Sequence, residues 1–221
     1  MTGVQTCALP ICEFVGKSVS HTINGHSIVL RLTYGDWRML YAGDLNDEAE
    51  RELLRAHRAG EIDLEAEILK VPHHGSADFS PDFLSVVRPL VSIVSSGDES
   101  ARKEYIHPRA TLMSALGKHA RDGEPLVFVT ELVAFFQVEG WVQPELHELT
   151  ATDLAVHEDR TLRKAKSAFF AFSRAAYGLV QVRTDGKRLL VCTNSGQIQL
   201  KEAYAYAMEN GKPVATQVRQ V

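Results

Sequence analysis

Apolar and polar positions recur at two different periods along the chain, which predicts both strands and helices. Runs rich in β-branched residues predict strands in SIVLRLTYG, WRMLYAG, AEILKVP, LVSIVSSG and PLVFVTELVAFF. Between them, apolar residues spaced three and four apart predict helices in NDEAERELLRAHRAG, SPDFLSVVRP and HPRATLMSALGKHARDG. The order strand, strand, helix, strand, helix, strand, helix, strand indicates a layered α/β or α+β domain.

Start and stop signals place several element boundaries. Asn46 or Asp47 is expected to cap the first of these helices, and Gly60 is expected to end it. Pro81 suits the first position of the next helix, since its missing N–H has no helical partner there. The earlier stretch EFVGKSVSHTINGHSIVLRL is expected to be strand-forming, with His21 and His26 as ordinary strand residues.

The last third of the chain has a different composition. Residues 143–166 are polar, mixed in charge and poor in aromatic residues, so we expect an inserted helical or loop segment. In LVQVRTDGKRLLVCT, Asp185-Gly186 predicts a hairpin with a type I′ turn. LKEAYAYAMENG is expected to close the chain as a short helix ending at Gly211.

The opening stretch MTGVQTCALPI does not resemble the protein that follows it. It lacks the basic region and continuous apolar core of a signal peptide, and its two cysteines are a weak metal or disulfide signal. Back-translated from a GTG start codon, it resembles a common sequencing adapter codon by codon. We therefore expect residues 1–12 to be an artefact and the chain to be a fragment, leaving Cys192 as its one native cysteine.

Composition narrows the class of protein. Of 221 residues, 45% are hydrophobic and 24% charged, which is ordinary for a globular protein. The net charge of −4 argues against a broad nucleic-acid-binding surface, although local basic patches remain compatible with it. The sequence has no apolar run near the ~20 residues that span a bilayer, so a cytoplasmic location is expected.

Candidate chemistry concentrates in three places. Asp44 follows an apolar strand in YAGD, where it could also simply cap the next helix. His73 and His74 follow another strand in KVPHHGS, and adjacent residues of an extended chain point to opposite sides. His107 lies in YIHPR, and taken alone it could be an ordinary loop histidine.

Together these motifs resemble the C-terminal half of a metallo-β-lactamase-fold hydrolase. More narrowly, the sequence is similar to the hydrolase domain of competence-type DNA-uptake proteins, in which an NxxS strand (here Asn24 to Ser27) precedes the GD carboxylate, the HHGS turn and a later HP pair. The resemblance extends over about residues 22 to 130. It implies an α+β fold with αββα four-layer architecture, whose N-terminal half is missing here. The implied domain comprises residues 13–142 and 171–221, with 143–170 as a polar helical insertion.

The resemblance also implies roles for the candidate residues. Asp44 would bridge two metal ions, Zn²⁺ with Mn²⁺ as an alternative, and His73 or His74 would be a further ligand, with His73 the first choice. His74 and His107 would then act in catalysis or near the substrate. The substrate would be a phosphodiester or nucleic acid.

The sequence departs from this family in one respect. The family's main metal-binding motif, an HxHxDH-like cluster, has no counterpart here, so we expect weak metal binding and little activity from this chain alone. A metal-free regulatory or interaction module derived from a hydrolase is the alternative. Loss of the other half of the fold is also expected to expose Ile28, Leu30, Leu40 and Val71.

Overall fold

The computed structural model describes residues 2–7, 17–96, 107–121, 125–130, 179–194 and 203–216. The predicted insertion at 143–170 lies outside these ranges. The strands and helices predicted between Ser27 and Val129 are all present. The elements are β1 (Thr2–Cys7), α1 (Val19–Gly25), β2 (Val29–Tyr34), β3 (Trp37–Tyr41), α2 (Asp47–Arg58), β4 (Ile68–Lys70), α3 (Pro81–Val87), β5 (Val91–Val94), α4 (Ala110–His119), β6 (Leu126–Val129), β7 (Leu179–Thr184), β8 (Arg188–Asn194), β9 (Ala203–Glu209) and β10 (Lys212–Thr216).

The central sheet has six strands in the order β1-β2-β3-β4-β5-β6. The first three strands pair antiparallel, and β3 to β6 pair parallel. This mixed sheet with its helices agrees with the predicted α+β class. Because the carboxyl ends of parallel strands meet at one edge of a sheet, the residues after β3, β4 and β5 are brought together there.

One face of the six-stranded sheet packs against helices. Alternate strand residues such as Leu40, Leu69 and Val94 point to this face and are buried against the helices. The helical side of this core is formed by the buried residues Leu53, Leu54, Phe83, Leu84, Val87, Leu112 and Leu116. Among the described ranges, the helices are all too short or too polar to cross a bilayer.

The opposite face packs against a second, four-stranded sheet in the order β10-β9-β8-β7. Buried Trp37, Ile68 and Phe128 belong to the same apolar cluster as Leu189 and Val191 of that sheet. Leu40 and Val71 were expected to be exposed by the loss of the other half of the fold. That prediction was wrong, because both residues are buried under the helices. Ile28 and Leu30 are exposed as predicted, at 63% and 37%.

The two hairpins of the second sheet correct two predictions. The described part of LKEAYAYAMENG, residues 203–211, does not form a helix: β9 and β10 pair antiparallel across Asn210-Gly211, both with positive φ, as a type I′ turn requires. The predicted hairpin of β7 and β8 is present, but its turn is not type I′ because only Gly186 has positive φ. There, Asp185 Oδ1 accepts hydrogen bonds from the backbone N–H groups of Lys187 and Arg188 instead.

The opening stretch forms the edge strand β1, which pairs with β2 through the backbone. Val4 is 65% exposed, and the side chains of Thr2 to Thr6 contribute nothing to either apolar core. Backbone pairing without burial specifies a strand only weakly. The structure therefore gives β1 a place in the fold without giving its sequence a role in the core.

Candidate functional site

Three turns meet at the carboxyl edge of β3, β4 and β5. Asp44 follows β3, His73 and His74 follow β4, and His107 precedes α4. The backbone N–H of His73 donates to the Gly43 carbonyl at 3.0 Å, which joins the first two turns. The structure thus brings the predicted site residues into one region, as the parallel topology predicts.

The turn that carries Asp44 depends on a close backbone approach. Gly43 has φ of 55°, and a Cβ there would lie 2.6 Å from the Ser27 Cβ. The Ser27 hydroxyl oxygen accepts a hydrogen bond from the Asp44 N–H at 2.9 Å. Asp44 does not cap α2, because Asn46 is the cap and its Oδ1 accepts from the Ala49 N–H. The Asp44 carboxylate is therefore left to face the site.

Both histidines of HHGS adopt the left-handed conformation, which the sequence did not predict. His73 has φ 47° and ψ 44°, and His74 has φ 52° and ψ 17°, within a 3-10 turn over Pro72–Gly75. Left-handed backbone costs a non-glycine residue about 1–2 kcal/mol, and such strain concentrates at functional sites. The two side chains consequently diverge from a tight turn rather than from an extended chain.

His74 faces Asp44. Its Nδ1 is 2.6 Å from the Ser95 carbonyl oxygen, which can only accept, so Nδ1 carries the proton. In the neutral ring Nε2 then has a lone pair, and it lies 3.5 Å from Asp44 Oδ1. This 3.5 Å separation is longer than a direct charge-assisted hydrogen bond, which would be about 2.7–2.9 Å. It is close to the ~3.3 Å that separates two ligands of one tetrahedral zinc ion when each lies ~2.0–2.1 Å from the ion.

His73 points away from this pair. Its Nε2 is 3.2 Å from Asn24 Nδ2, and its ring centroid is 5.9 Å from that of His107. Burial lowers the pKa of His73 from its ordinary value, although Asp44 and Asp78 oppose the shift. Its buried Nδ1 has no hydrogen-bond partner among the described residues. The lowered pKa favours the neutral form of this ring, which lies between Asn24 and His107.

Lys70 places a positive group beside the Asp44 turn. Its Nζ donates to the Gly43 carbonyl at 3.2 Å. Burial lowers the pKa of Lys70, and the nearby Asp44 carboxylate opposes that shift. The side chain therefore supports the backbone of the turn and partly offsets the charge of the carboxylate.

A cleft of about 720 Å³ opens next to His107. It is lined by Ser76, Ala77, Asp78, His107, Pro108, Arg109, Ala110 and Thr111. The wall of the cleft at Pro108 requires a residue without a side chain at Gly75, because a Cβ there would lie 2.6 Å from the Pro108 Cβ. The Arg109 N–H donates to the Gly75 carbonyl at 2.8 Å, which attaches the His107 segment to the histidine turn.

Sequence reasoning missed a second group of polar side chains. His21 and His26 are not strand residues: His21 lies on α1, where the Ser18 side chain accepts from its N–H, and His26 is the C-cap of that helix. Ligand atoms of His21, Glu48 and Asp78 lie within 4.8 Å of one another. Ser18 is a residue type that favours helix N-caps, but the β-branched residues around it concealed this signal.

Comparison with known proteins gives partial similarities. The chain is similar to ComE operon protein 3 of Bacillus subtilis, with 30% identity over 98 residues, 44% of this chain and 12% of that protein. It is similar to Competence protein ComA of Neisseria gonorrhoeae, with 33% identity over 110 residues, 48% of this chain and 15% of that protein. It is also similar to Recombination protein 2 of Haemophilus influenzae, with 40% identity over 80 residues, 36% of this chain and 9% of that protein.

These matches cover less than half of this chain and 9% to 15% of the relatives. No family model matches the chain, and no solved structure gives a significant match. The predicted resemblance to competence-type proteins is thus confirmed for part of the chain.

Proposed function

We propose that the chain is part of a metal-dependent hydrolase with the αββα metallo-β-lactamase fold, acting on a phosphodiester or nucleic acid. The observation that carries the proposal is the facing of His74 Nε2 and Asp44 Oδ1 across 3.5 Å at the carboxyl edge of parallel strands. The similarity to two competence proteins and a recombination protein favours nucleic acid as the substrate class.

The donor set fits a borderline divalent ion such as Zn²⁺, with Mn²⁺ as an alternative. Imidazole and carboxylate are its usual nitrogen and oxygen ligands, and the Nδ1–H of His74 is held by the Ser95 carbonyl in the outer arrangement common to metal-binding histidines. When bound, such an ion would supply Lewis acidity, lowering the pKa of a water molecule and offsetting phosphodiester charge.

The two histidines have different roles in this proposal. His74 is a metal ligand with Asp44, because it is the ring that faces the carboxylate. His73, between Asn24 and His107, keeps the imidazole of His107 in place and directs it toward the cleft. His107 would contact the substrate there, and Arg109 on the cleft wall supplies a positive charge for a phosphate group.

Asp44 and His74 leave most of the coordination shell to other donors. We propose that these would come from an HxHxDH-like segment of a longer protein that includes this chain, and that Asp44 would then be a ligand shared by two ions. The chain's small share of its relatives' length is compatible with this proposal. Metal binding at Asp44 and His74 by the chain alone is then expected to be weak.

Replacing Asp44 by Asn tests the proposal in the longer protein. The amide keeps the side-chain shape and the Ser27 hydrogen bond to the backbone, but it cannot offset a dication. Hydrolysis of a phosphodiester and of nucleic acid should fall by about 10³-fold or more, while the urea midpoint stays nearly unchanged. His74→Ala should lose metal, and His73→Ala should retain metal and lose rate.

Asp82→Asn is the matched control, because this carboxylate lies on the exposed first turn of α3 and should leave the rate unchanged. Full activity in Asp44→Asn would contradict the proposal. A longer protein without an HxHxDH-like segment, and with no hydrolysis in Zn²⁺ or Mn²⁺, would favour the metal-free interaction module.

A further inference from the structure

A second group of metal-ligating side chains lies outside the Asp44–His74 pair. It consists of His21 from α1, Glu48 from the first turn of α2 and Asp78 from the segment after the histidine turn, here called the His21 cluster. We propose that the His21 cluster binds a divalent cation such as Zn²⁺. His21 Nδ1 and Asp78 Oδ2 are the direct protein ligands, Glu48 holds the imidazole, and water completes the coordination.

Hydrogen-bond geometry sets the orientation of the ring. His21 Nε2 lies 2.8 Å from Glu48 Oε2, a normal length for an N–H donating to a carboxylate. The other nitrogen, Nδ1, lies 3.4 Å from Asp78 Oδ2. That separation is long for a charge-assisted hydrogen bond of about 2.7–2.9 Å. It is close to the ~3.3 Å between two ligands of one tetrahedral ion.

The remaining polar atoms of the cluster are already held in place. The Asp47 N–H donates to Asp78 Oδ1 at 3.3 Å, which leaves Oδ2 facing the imidazole. The Asn46 side-chain amide donates to the His21 carbonyl at 2.8 Å and fixes α1 against α2. A hydrogen bond to a ligating carboxylate, such as that from the Asp47 N–H to Asp78, is typical of protein metal sites.

The charge of the cluster favours a cation. The carboxylates of Asp78 and Glu48 both lie beside the imidazole of His21. Lys17 contacts the outer oxygen of Glu48, Oε1, at 2.7 Å and offsets one of these two negative charges. The expected affinity is consequently modest.

A cation at this position would stabilise the proposed hydrolase site without belonging to it. It would join α1 to α2 and to the segment that follows the histidine turn. Asn24 of α1 contacts His73, and Ser27, just after α1, holds the Asp44 N–H. Fixing α1 would therefore fix two contacts of the proposed catalytic region.

Long-range ¹H–¹⁵N NMR of the full chain, titrated with Zn²⁺ in an Asp44→Asn background, tests this proposal. This background removes a proposed ligand of the other site, so the two proposals can fail separately. We expect a saturable shift of His21 Nδ1, which Asp78→Asn or His21→Gln abolishes and the control Asp82→Asn preserves. Glu48→Gln should weaken binding by about 10–100-fold, and Lys17→Met should not weaken it.

Two outcomes would overturn the proposal. An unchanged His21 resonance at saturating Zn²⁺ would identify the cluster as a histidine ion-paired with two carboxylates. A shift that persists in Asp78→Asn would place the ion elsewhere. Backbone ¹H–¹⁵N spectra of each variant establish that it is folded, and His21→Gln provides an independent test if Asp78→Asn unfolds.

Discussion

Gly75→Ala should separate the His107 segment from the histidine turn. Gly75 has φ of 89°, and a Cβ there would lie 2.6 Å from the Pro108 Cβ, 2.9 Å from the Pro108 Cα and 3.2 Å from the Val94 Cγ1. Since carbon atoms pack best at about 3.5–4.0 Å, the two segments must move apart by roughly 1 Å. His107 precedes Pro108, so this movement should also disturb its contact with His73.

The expected loss of stability has two parts. A side chain in the left-handed region costs about 1–2 kcal/mol. Forcing an extra methyl group into a close contact costs about 1–3 kcal/mol more. Their sum of roughly 2–5 kcal/mol is a large share of the ~5–15 kcal/mol by which domains are stable.

Gly60→Ala provides the matched control for urea unfolding. Gly60 has φ of 75°, but a Cβ there would meet no atom within 4 Å. It should therefore lose only the backbone part, about 1–2 kcal/mol. The account predicts that Gly75→Ala loses ~1–3 kcal/mol more than Gly60→Ala. Equal losses would refute the claim that a close approach at Gly75 assembles this wall of the site.

Two further predictions concern buried charge. Burial raises the pKa of Glu50 well above its usual value, although the Ser80 N–H donates a hydrogen bond to the carboxylate. The contribution of Glu50 to the free energy of unfolding is therefore complete below pH ~4.3, its ordinary pKa, and is lost as pH rises through the folded-state pKa. In urea unfolding, Glu50→Gln should become more stable relative to the wild type between pH 5 and pH 8, and a constant difference would contradict this. Arg38→Met should cost about 1.5–3 kcal/mol, because Glu67, 1% exposed, loses its bidentate hydrogen bonds while Arg121 Nη1 at 3.3 Å and the backbone N–H of residue 38 remain its partners. The control Arg55→Met, on an exposed pair, should cost under ~1 kcal/mol, and similar losses would refute the contrast.

The sequence was sufficient for the part of the fold that positions the site. The strand and helix patterns from Ser27 to Val129 were strong because each strand is buried on at least one face. The proximity of Asp44 and the His73-His74 pair could be predicted because motif and topology agree: each follows one of two strands that pair in parallel. The left-handed turn at the pair could not be predicted, because it depends on contacts with Gly43 and the Pro108 segment.

Local signals failed where two of them competed. Asn210-Gly211 is as strong a type I′ dipeptide as Asp185-Gly186, but the alanines in AYAYAME favour a helix, for which Gly211 is a typical stop. At Asp185-Gly186, the Asp185 carboxylate accepts hydrogen bonds from the Lys187 and Arg188 N–H groups, and the Gly186 carbonyl accepts one from the Asp36 N–H. These contacts select a longer turn. Both outcomes depend on tertiary pairing that a dipeptide does not encode.

Anomalous scattering at the zinc edge would show whether Asp44 and His74 hold a common metal ion. Crystals of a longer protein that includes this chain and an HxHxDH-like segment would be soaked in Zn²⁺. We expect an anomalous peak ~2.0–2.2 Å from both Asp44 Oδ1 and His74 Nε2. A soaked crystal in which no peak lies between them, and in which His74 Nε2 donates directly to Asp44 at ~2.7–2.9 Å, would contradict it.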